Sequence, residues 1–544
     1  MKSNKKVALT ASPPPMPGAL SPMSGPSGRT ATKVRKQVAP RHDFPDFRSF
    51  LGFLEAQGEL VRVQRPVDRY LETTLVAKKA IEEHGPALLF ENVKGYDIPL
   101  AVAVYGTQER VCLGLDTTPP EFTREYVRRA EQIKEFQPKL VKDGPCKEHV
   151  LLGKKVDLNM FPITWHAEKD RGWYIDATVC IVKHPETRVR NASVHRLYIH
   201  KKNQTGLWMS PFNLWHIIMM YWEKGLACPM AVAIGVDPYS MMAASTIMPL
   251  EEDEFCFAGA QRGRPIDMVR CETVDLEVPA TAEIVLEGEI PPHVRKPEAP
   301  FVEFTGYYGD ERLAPVFDLK AITYRSTPIY HDIVTGPPPD ENQPMIIAFQ
   351  CEILKILRQV IPDECILDIY LTPGGCTCFD CVVRIKKIYP GWGKQVAAAV
   401  LSYHPVKNVW VVDEDIDARN PVQTEWAFAT RCRGKEDVIF IQDALGIPLD
   451  PSSRDGVVTK MGFDCTKPIG RDKECSQMIH MACYFPTHTV DLEEYIGDWR
   501  QAQARLQAQI QSRSRPPLQR QARPQDQPVA RPQSSAARRA ASAR

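Results

Sequence analysis

Asn191-Ala192-Ser193-Val194-His195-Arg196 ends in a fixed cation, and Glu298-Ala299-Pro300-Phe301-Val302-Glu303 holds two carboxylates. The proline between those acids keeps their segment from being regular helix. An Arg that meets two carboxylates in a pocket keeps one ionised while the other, desolvated, stays protonated near neutral pH. That is the equipment of a proton donor. Taken singly, the parts say little: Asn191 and Arg196 fall on opposite faces if their segment is a strand, and two loop acids are commonplace.

Other residue types could also do chemistry. Glu251-Glu252-Asp253-Glu254 reads first as a solvated acidic loop, although carboxylates are the natural oxygen ligands of Mg²⁺ or Mn²⁺ and Asn191 could add another oxygen. Cys376-Thr377-Cys378-Phe379-Asp380-Cys381 lacks the second cysteine pair that a closed zinc site needs, so it reads as a strand with buried thiols. His195, His200, His216 and His331 default to structural roles, with His216 half-buried beside Trp215. No G-x-S-x-G, P-loop or G-x-G-x-x-G stands in a strand-to-helix context, which weakens hydrolase, ATPase and dinucleotide readings.

The elements that must position these residues follow from periodicity. Phe47, Phe50, Leu51 and Leu54 recur at helical spacing after Asp46, and Gly58 is placed to stop that helix. Residues 60–63 alternate as a strand, 70–84 return to a helical period, and 87–90 and 98–104 are apolar strand candidates. Between 156 and 340, β-rich runs at 177–182, 230–236, 282–288 and 317–324 dominate, with one helix near 211–224, which fits a β-barrel or folded sheet. A helix over 345–360 leads to strands at 380–387 and 407–413 around a helix at 393–403. The predicted fold class is α+β multidomain. Its parts are a basic tail at 1–42, an N-terminal α/β domain at 43–150, a central split β-barrel at 151–340, a linker helix at 341–362, a C-terminal α/β domain at 363–499 and an Arg/Gln-rich tail at 500–544.

Charge is segregated. The chain of 544 residues carries a formal charge of +1, yet residues 1–42 hold +8 and 500–544 hold +9, leaving the body at −16. An acidic body argues against specific nucleic-acid binding by the folded part. Both tails have the composition of disordered segments, and the first lacks the amphipathic helix of an import signal. Without a long apolar run no helix should span a membrane, and the 15 cysteines read as reduced thiols, so a cytoplasmic location is expected.

Taken together, the segments resemble the UbiD-like family of reversible decarboxylases that use prenylated FMN. The resemblance runs in order along the body through Gly58-Glu59-Leu60-Val61-Arg62-Val63, Leu89-Phe90-Glu91-Asn92-Val93, Asn191 to Arg196 and Val278-Pro279-Ala280. It continues through Glu283-Ile284-Val285-Leu286-Glu287-Gly288, Phe304-Thr305-Gly306-Tyr307-Tyr308, Trp426-Ala427-Phe428-Ala429-Thr430-Arg431 and Thr459-Lys460-Met461-Gly462-Phe463-Asp464. It implies Arg196 as catalytic arginine, Glu298 as its carboxylate partner and Glu303 as proton donor. It implies that Asn191 and Glu254 hold a divalent cation, Mn²⁺ or Mg²⁺, against the flavin phosphate, with K⁺ as a further ion. Ser193, Val194, Arg196, Phe212, Asn213 and Lys460 would meet the cofactor. The family's third metal ligand is commonly a histidine; the register here gives Asn213, with His216 three positions on, and Phe212 stands where a polar residue is often found.

The implied activity is reversible, non-oxidative decarboxylation of an aromatic, phenolic or α,β-unsaturated acid through a covalent adduct with prenylated FMN. His331 is placed as a contact to a phenol. The expected partners are the acid, CO₂, a flavin prenyltransferase as cofactor supplier, and further copies of the chain through the C-terminal domain. A conventional flavin redox protein would need neither Arg196 nor Glu303, and a non-catalytic scaffold would act through its basic tails.

Overall fold

Asp46 starts the first helix by accepting a hydrogen bond from the Ser49 N–H, and Ser49 Oγ returns one from the Asp46 N–H. This closed reciprocal cap fixes the register of Phe47–Ala56. Phe47, Phe50, Leu51 and Leu54 are then turned inward, each burial contributing about 1.5–3 kcal/mol. Gly58, at φ +77°, takes the left-handed conformation that releases the chain into the strand Leu60–Val63. The computed structural model describes residues 42–454 and 456–469. The expected tails, apart from His42, and residues 470–499 of the expected C-terminal domain lie outside the described residues.

Four sheets organise the described chain. The first pairs Leu60–Val63, Ala87–Phe90 and Leu100–Val102 with Tyr330–His331, a short strand contributed from much later in the sequence. The second has ten strands, following the order Tyr174–Ile175, Leu197–Lys201, Gln204–Leu207, Arg312–Tyr324, Ile284–Ile290, Cys228–Ile234, Thr178–Lys183 and Arg190–Ser193. Arg295–Glu298 and His149–Leu152 both pair with the long strand Arg312–Tyr324. Among the described residues the path does not close by strand pairing, so the barrel is split. A three-stranded sheet joins Lys139–Leu140, Asp267–Arg270 and Glu277–Pro279. Ile366–Leu371, Asp380–Ile385, Asn408–Asp413, Val457–Cys465 and Val438–Leu445 form a mixed five-stranded sheet.

The central region departs from the expectation of one helix. Besides Asn213–Glu223 it carries Pro238–Ala244 and Glu254–Arg262. All seven residues of Pro238–Ala244 are buried, so periodicity gave no amphipathic stripe to read. The helices Pro119–Ala130 and Gln343–Leu357 pack together, and Glu254–Arg262 lies against the first of them. One continuous apolar core therefore runs from Phe47 and Phe122 through Met241 and Phe257 to Ile353 and Val396.

Candidate functional site

Arg196 leaves the ten-stranded sheet just before Leu197–Lys201, while Glu298 ends Arg295–Glu298 and Glu303 follows in the loop beyond. The Arg196 Nε and Nη2 donate to the two oxygens of Glu298 at 2.9 and 3.2 Å, and Nη1 donates to Glu303 Oε1 at 2.6 Å. One planar guanidinium thus organises both acids, which a point-charge lysine could not do. The Phe301 and Trp208 rings cover the guanidinium, 4.6 and 4.9 Å from it. Glu298 is 0% exposed and Glu303 6%.

The loop is pinned as firmly as the arginine. Val302 N–H donates to Asp170 Oδ1 at 2.8 Å, Gly309 N–H to the Phe301 carbonyl at 2.9 Å, and Glu303 N–H to the Tyr307 carbonyl at 2.9 Å. Burial pushes the Glu303 carboxyl above its ordinary value even though the Arg196 charge pulls it down. The Arg196 guanidinium loses hydration, but Glu303 and Glu298 more than restore its hold on the proton. The trio is a cation, a locked carboxylate, and an acid able to keep its proton.

Asn191 serves a different cluster. It lies in the edge strand Arg190–Ser193, and its Nδ2 donates to Glu254 Oε1 at 2.7 Å while Ala192 N–H donates to Glu254 Oε2 at 2.9 Å. Glu254 is no solvated loop acid: it opens the helix Glu254–Arg262 behind the Asp253 cap and is 1% exposed. Burial drives its carboxyl well above the usual range, against the pull of the Ala192 N–H. Asn191 Oδ1 is buried and has no hydrogen-bond partner. A divalent cation fits here, because it would satisfy that orphaned oxygen and neutralise a desolvated carboxylate.

Asn213 opens the helix Asn213–Glu223 and spends its amide N–H on the Met248 carbonyl at 2.8 Å, leaving its oxygen free of that bond. His216 is exposed, not half-buried as expected. No side chain caps the helix start, and such uncapped N–H groups suit a phosphate. Phe212, 44% exposed there, sets its ring at a tilt against His404, with centroids 5.4 Å apart. Val194 N–H is held by the Ala244 carbonyl at 3.2 Å, and Ser193 Oγ meets His195 Nε2 at 2.9 Å. Among the described residues, no three His, Cys, Asp or Glu side chains gather in a way that could hold a metal, so this candidate set rests on one carboxylate and amide oxygens.

Two sequence candidates sit elsewhere. Lys460 Nζ gives its donors to the Leu401, Tyr403 and His404 carbonyls at 2.9, 3.0 and 3.2 Å, and burial lowers the amine to about 8. It meets the Phe212 segment through His404. His331 does not face the Arg196 trio: in Tyr330–His331 it packs between Phe47 and Tyr105, with ring centroids 4.6 and 5.8 Å away. Strand alternation turns the next residue, Asp332, the other way.

That neighbour belongs to a cluster that sequence reasoning missed. Asp332 Oδ2 accepts from the Thr164 hydroxyl and lies 3.1 Å from His166 Nε2; Asp176 Oδ2 is 3.4 Å from the same nitrogen. His166 sets its ring edge-on to Phe301 at 5.7 Å, on the residue that also covers Arg196. The visible signal was an acid inside the apolar run Trp173-Tyr174-Ile175-Asp176-Ala177.

Comparison with known proteins places this architecture. Family profiles match in three parts: the 3-octaprenyl-4-hydroxybenzoate carboxy-lyase N-terminal domain over residues 51–130, its Rift-related domain over 139–338 and its C-terminal domain over 346–465. The UbiD-class enzyme HmfF from Pelotomaculum thermopropionicum, solved in complex with FMN, is 36% identical with a TM-score of 0.77, covering 83% of this chain and 100% of that one. An evolved dimeric form of HmfF in complex with prFMN gives 32% and 0.74, covering 83% and 100%. Vanillic acid decarboxylase of Sedimentibacter hydroxybenzoicus, in its closed form, gives 29% and 0.71, covering 85% and 99%.

Proposed function

The chain belongs to the UbiD family of carboxy-lyases, and from that premise we propose that it decarboxylates an unsaturated or aromatic carboxylic acid, reversibly and without net oxidation, with Glu303 as the proton donor. The observation that carries this reading is the Arg196 fork: Nε and Nη2 hold Glu298 while Nη1 holds the buried Glu303.

Prenylated FMN, when bound, supplies the electron sink that no side chain provides for the pair left behind by CO₂. Asn191 and Glu254 would hold its phosphate through Mn²⁺ or Mg²⁺, with Asn213 adding an amide oxygen and the uncapped helix start adding N–H groups. Arg196 orients the substrate carboxylate by its charge. Glu298, with both oxygens engaged, fixes the guanidinium plane so that one N–H always points to Glu303. Phe301 and Trp208 keep bulk water from the guanidinium and strengthen its field. Glu303 delivers its proton to the carbon that has lost CO₂. By microscopic reversibility the resulting carboxylate removes that proton when CO₂ is in excess.

The test is to express the chain with a flavin prenyltransferase, release the bound flavin by denaturation, and assay the holoenzyme for CO₂ release from a panel of unsaturated and phenolic acids. A flavin heavier than FMN by a prenyl group, together with CO₂ from at least one acid, is expected. Unmodified FMN with hydride-dependent bleaching and no CO₂ would replace this reading by redox chemistry.

A further inference from the structure

Each decarboxylation of a bound carboxylate consumes a proton, because the carbon that loses CO₂ gains hydrogen. On the reading that Glu303 delivers it, the donor is left as a buried carboxylate and must be recharged before the next turnover. Gly309 closes over it: a Cβ there would come 2.7 Å from Glu303 Oε1. Most of its ionisable neighbours are unsuited to the task. Arg196 does not release its proton, and Glu298 has both oxygens in the fork. Burial drives the Tyr174 phenol far up. Asp170 spends its two oxygens on the Ala167 and Val302 N–H groups, at 2.7 and 2.8 Å.

The cluster behind Phe301 is differently built. His166, Asp176 and Asp332 are all nine-tenths buried or more, yet both Asp176 oxygens, Asp332 Oδ1 and His166 Nδ1 have no hydrogen-bond partner. Desolvated groups of this kind are costly unless they carry a shared proton or meet water. Their position is also specific. Tyr174 pairs with Tyr198 and Ile175 with Leu197 in an antiparallel ladder, so one rung further sets Asp176 beside Arg196. Directly opposed residues share a face.

We propose that His166, Asp176 and Asp332 form a buried proton store that recharges Glu303 between turnovers. Protonated Asp176 passes its proton, through water, to the Glu303 carboxylate. The Asp176 carboxylate so formed is balanced by the His166 imidazolium, and a solvent proton then restores it. One solvent proton enters for each C–H bond made. The charges facing Asp176 suit an acid that gives and regains a proton near neutrality. Burial raises it to about 7 against the attraction of His166, with Asp332 and Asp170 opposing ionisation and Arg196 favouring it. Burial would lower the His166 imidazole, but once Asp176 is ionised its charge and that of Asp332 raise it, so His166 is cationic when it balances the Asp176 carboxylate. Tyr330, also facing the two acids, has its phenol pushed well up and adds no charge.

The experiment follows CO₂ from the flavin-loaded holoenzyme by rapid mixing, for wild type and Asp176→Asn. Asp176→Asn should give a stoichiometric burst at the wild-type rate, since Glu303 begins protonated, and then a steady phase about 100-fold slower that slows again in D₂O. Wild type should show no burst. Should Asp176→Asn fail to fold or to load flavin, Asp332→Asn is the second variant, with the same biphasic trace expected. A single-phase trace in the variant measured, whether at the wild-type rate or uniformly slowed, overturns the store and leaves the decarboxylase reading intact. A wild type that loads flavin but releases no CO₂ from any acid overturns both.

Discussion

Glu298→Gln removes one charge from the Arg196 trio while keeping its volume, and its consequences can be worked through. The fork at 2.9 and 3.2 Å needs two acceptors, and glutamine offers one; its NH₂ would face an Nη2 donor. One charge-assisted bond of about 1.5–3 kcal/mol is therefore lost, and an unpaired N–H is left in a buried place. If the guanidinium plane is what aims Nη1 at Glu303, that energy appears in the transition state as a fall in kcat of about 10- to 150-fold. A second signature is directional. Glu298 opposes ionisation of Glu303, whereas Arg196 favours it. With Glu298 neutral, Arg196 acts with less opposition, Glu303 gives up its proton more readily, and the falling limb of the pH–rate profile moves to lower pH. The assay is CO₂ release against pH, with flavin content measured alongside. A variant with full flavin, kcat within about threefold of wild type and an unmoved limb would refute the reasoning.

Wild-type activity should itself fall on the alkaline side: the donor is the protonated Glu303, burial holds its carboxyl above the ordinary range, and activity is lost as pH rises through that raised value. A pH–rate profile of kcat checks the sign; a rate that falls as the medium turns acidic through that same range would contradict it. Gly309→Ala places a methyl 2.7 Å from Glu303 Oε1, so the carboxyl must shift off Arg196 Nη1; kcat should fall by about tenfold or more while flavin content holds. Glu254→Gln should reduce bound Mn²⁺ and flavin together, by metal analysis and absorbance, because the amide no longer carries the charge that a buried cation needs.

Much of this fold was legible because its elements carry regular patterns. The Asp46 cap, the Phe47-Phe50-Leu51-Leu54 stripe and Gly58 located the first helix, and the apolar runs at 177–182, 230–236 and 282–288 located three central strands. Elements buried on all sides were lost: Pro238–Ala244 has no polar face, so no stripe marked it, and its one sequence signal is the Asp237 cap followed by Pro238. The acid run at 251–254 misled because charge suggested solvent, whereas the Asp253 cap turns Glu254 into the core. At the site, Arg196, Glu298 and Glu303 were readable as residue types, and the structure brings them together. Asp176 stood out as an acid in an apolar run, but its grouping with His166 and Asp332 was not readable, since Asp332 comes from a distant segment. His331, the histidine that follows the strand at 317–324, packs into the core instead, and strand alternation gives its neighbour Asp332 to the buried cluster.

The most direct measurement of the central claim is deuterium exchange on the product. The flavin-loaded enzyme is incubated in D₂O with the product of whichever acid it decarboxylates, and label is followed by mass at the carbon that carried CO₂. Wild type should introduce deuterium there, and Glu303→Gln should not, while still binding flavin and metal. Equal exchange by the two would contradict Glu303 as the group that moves the proton.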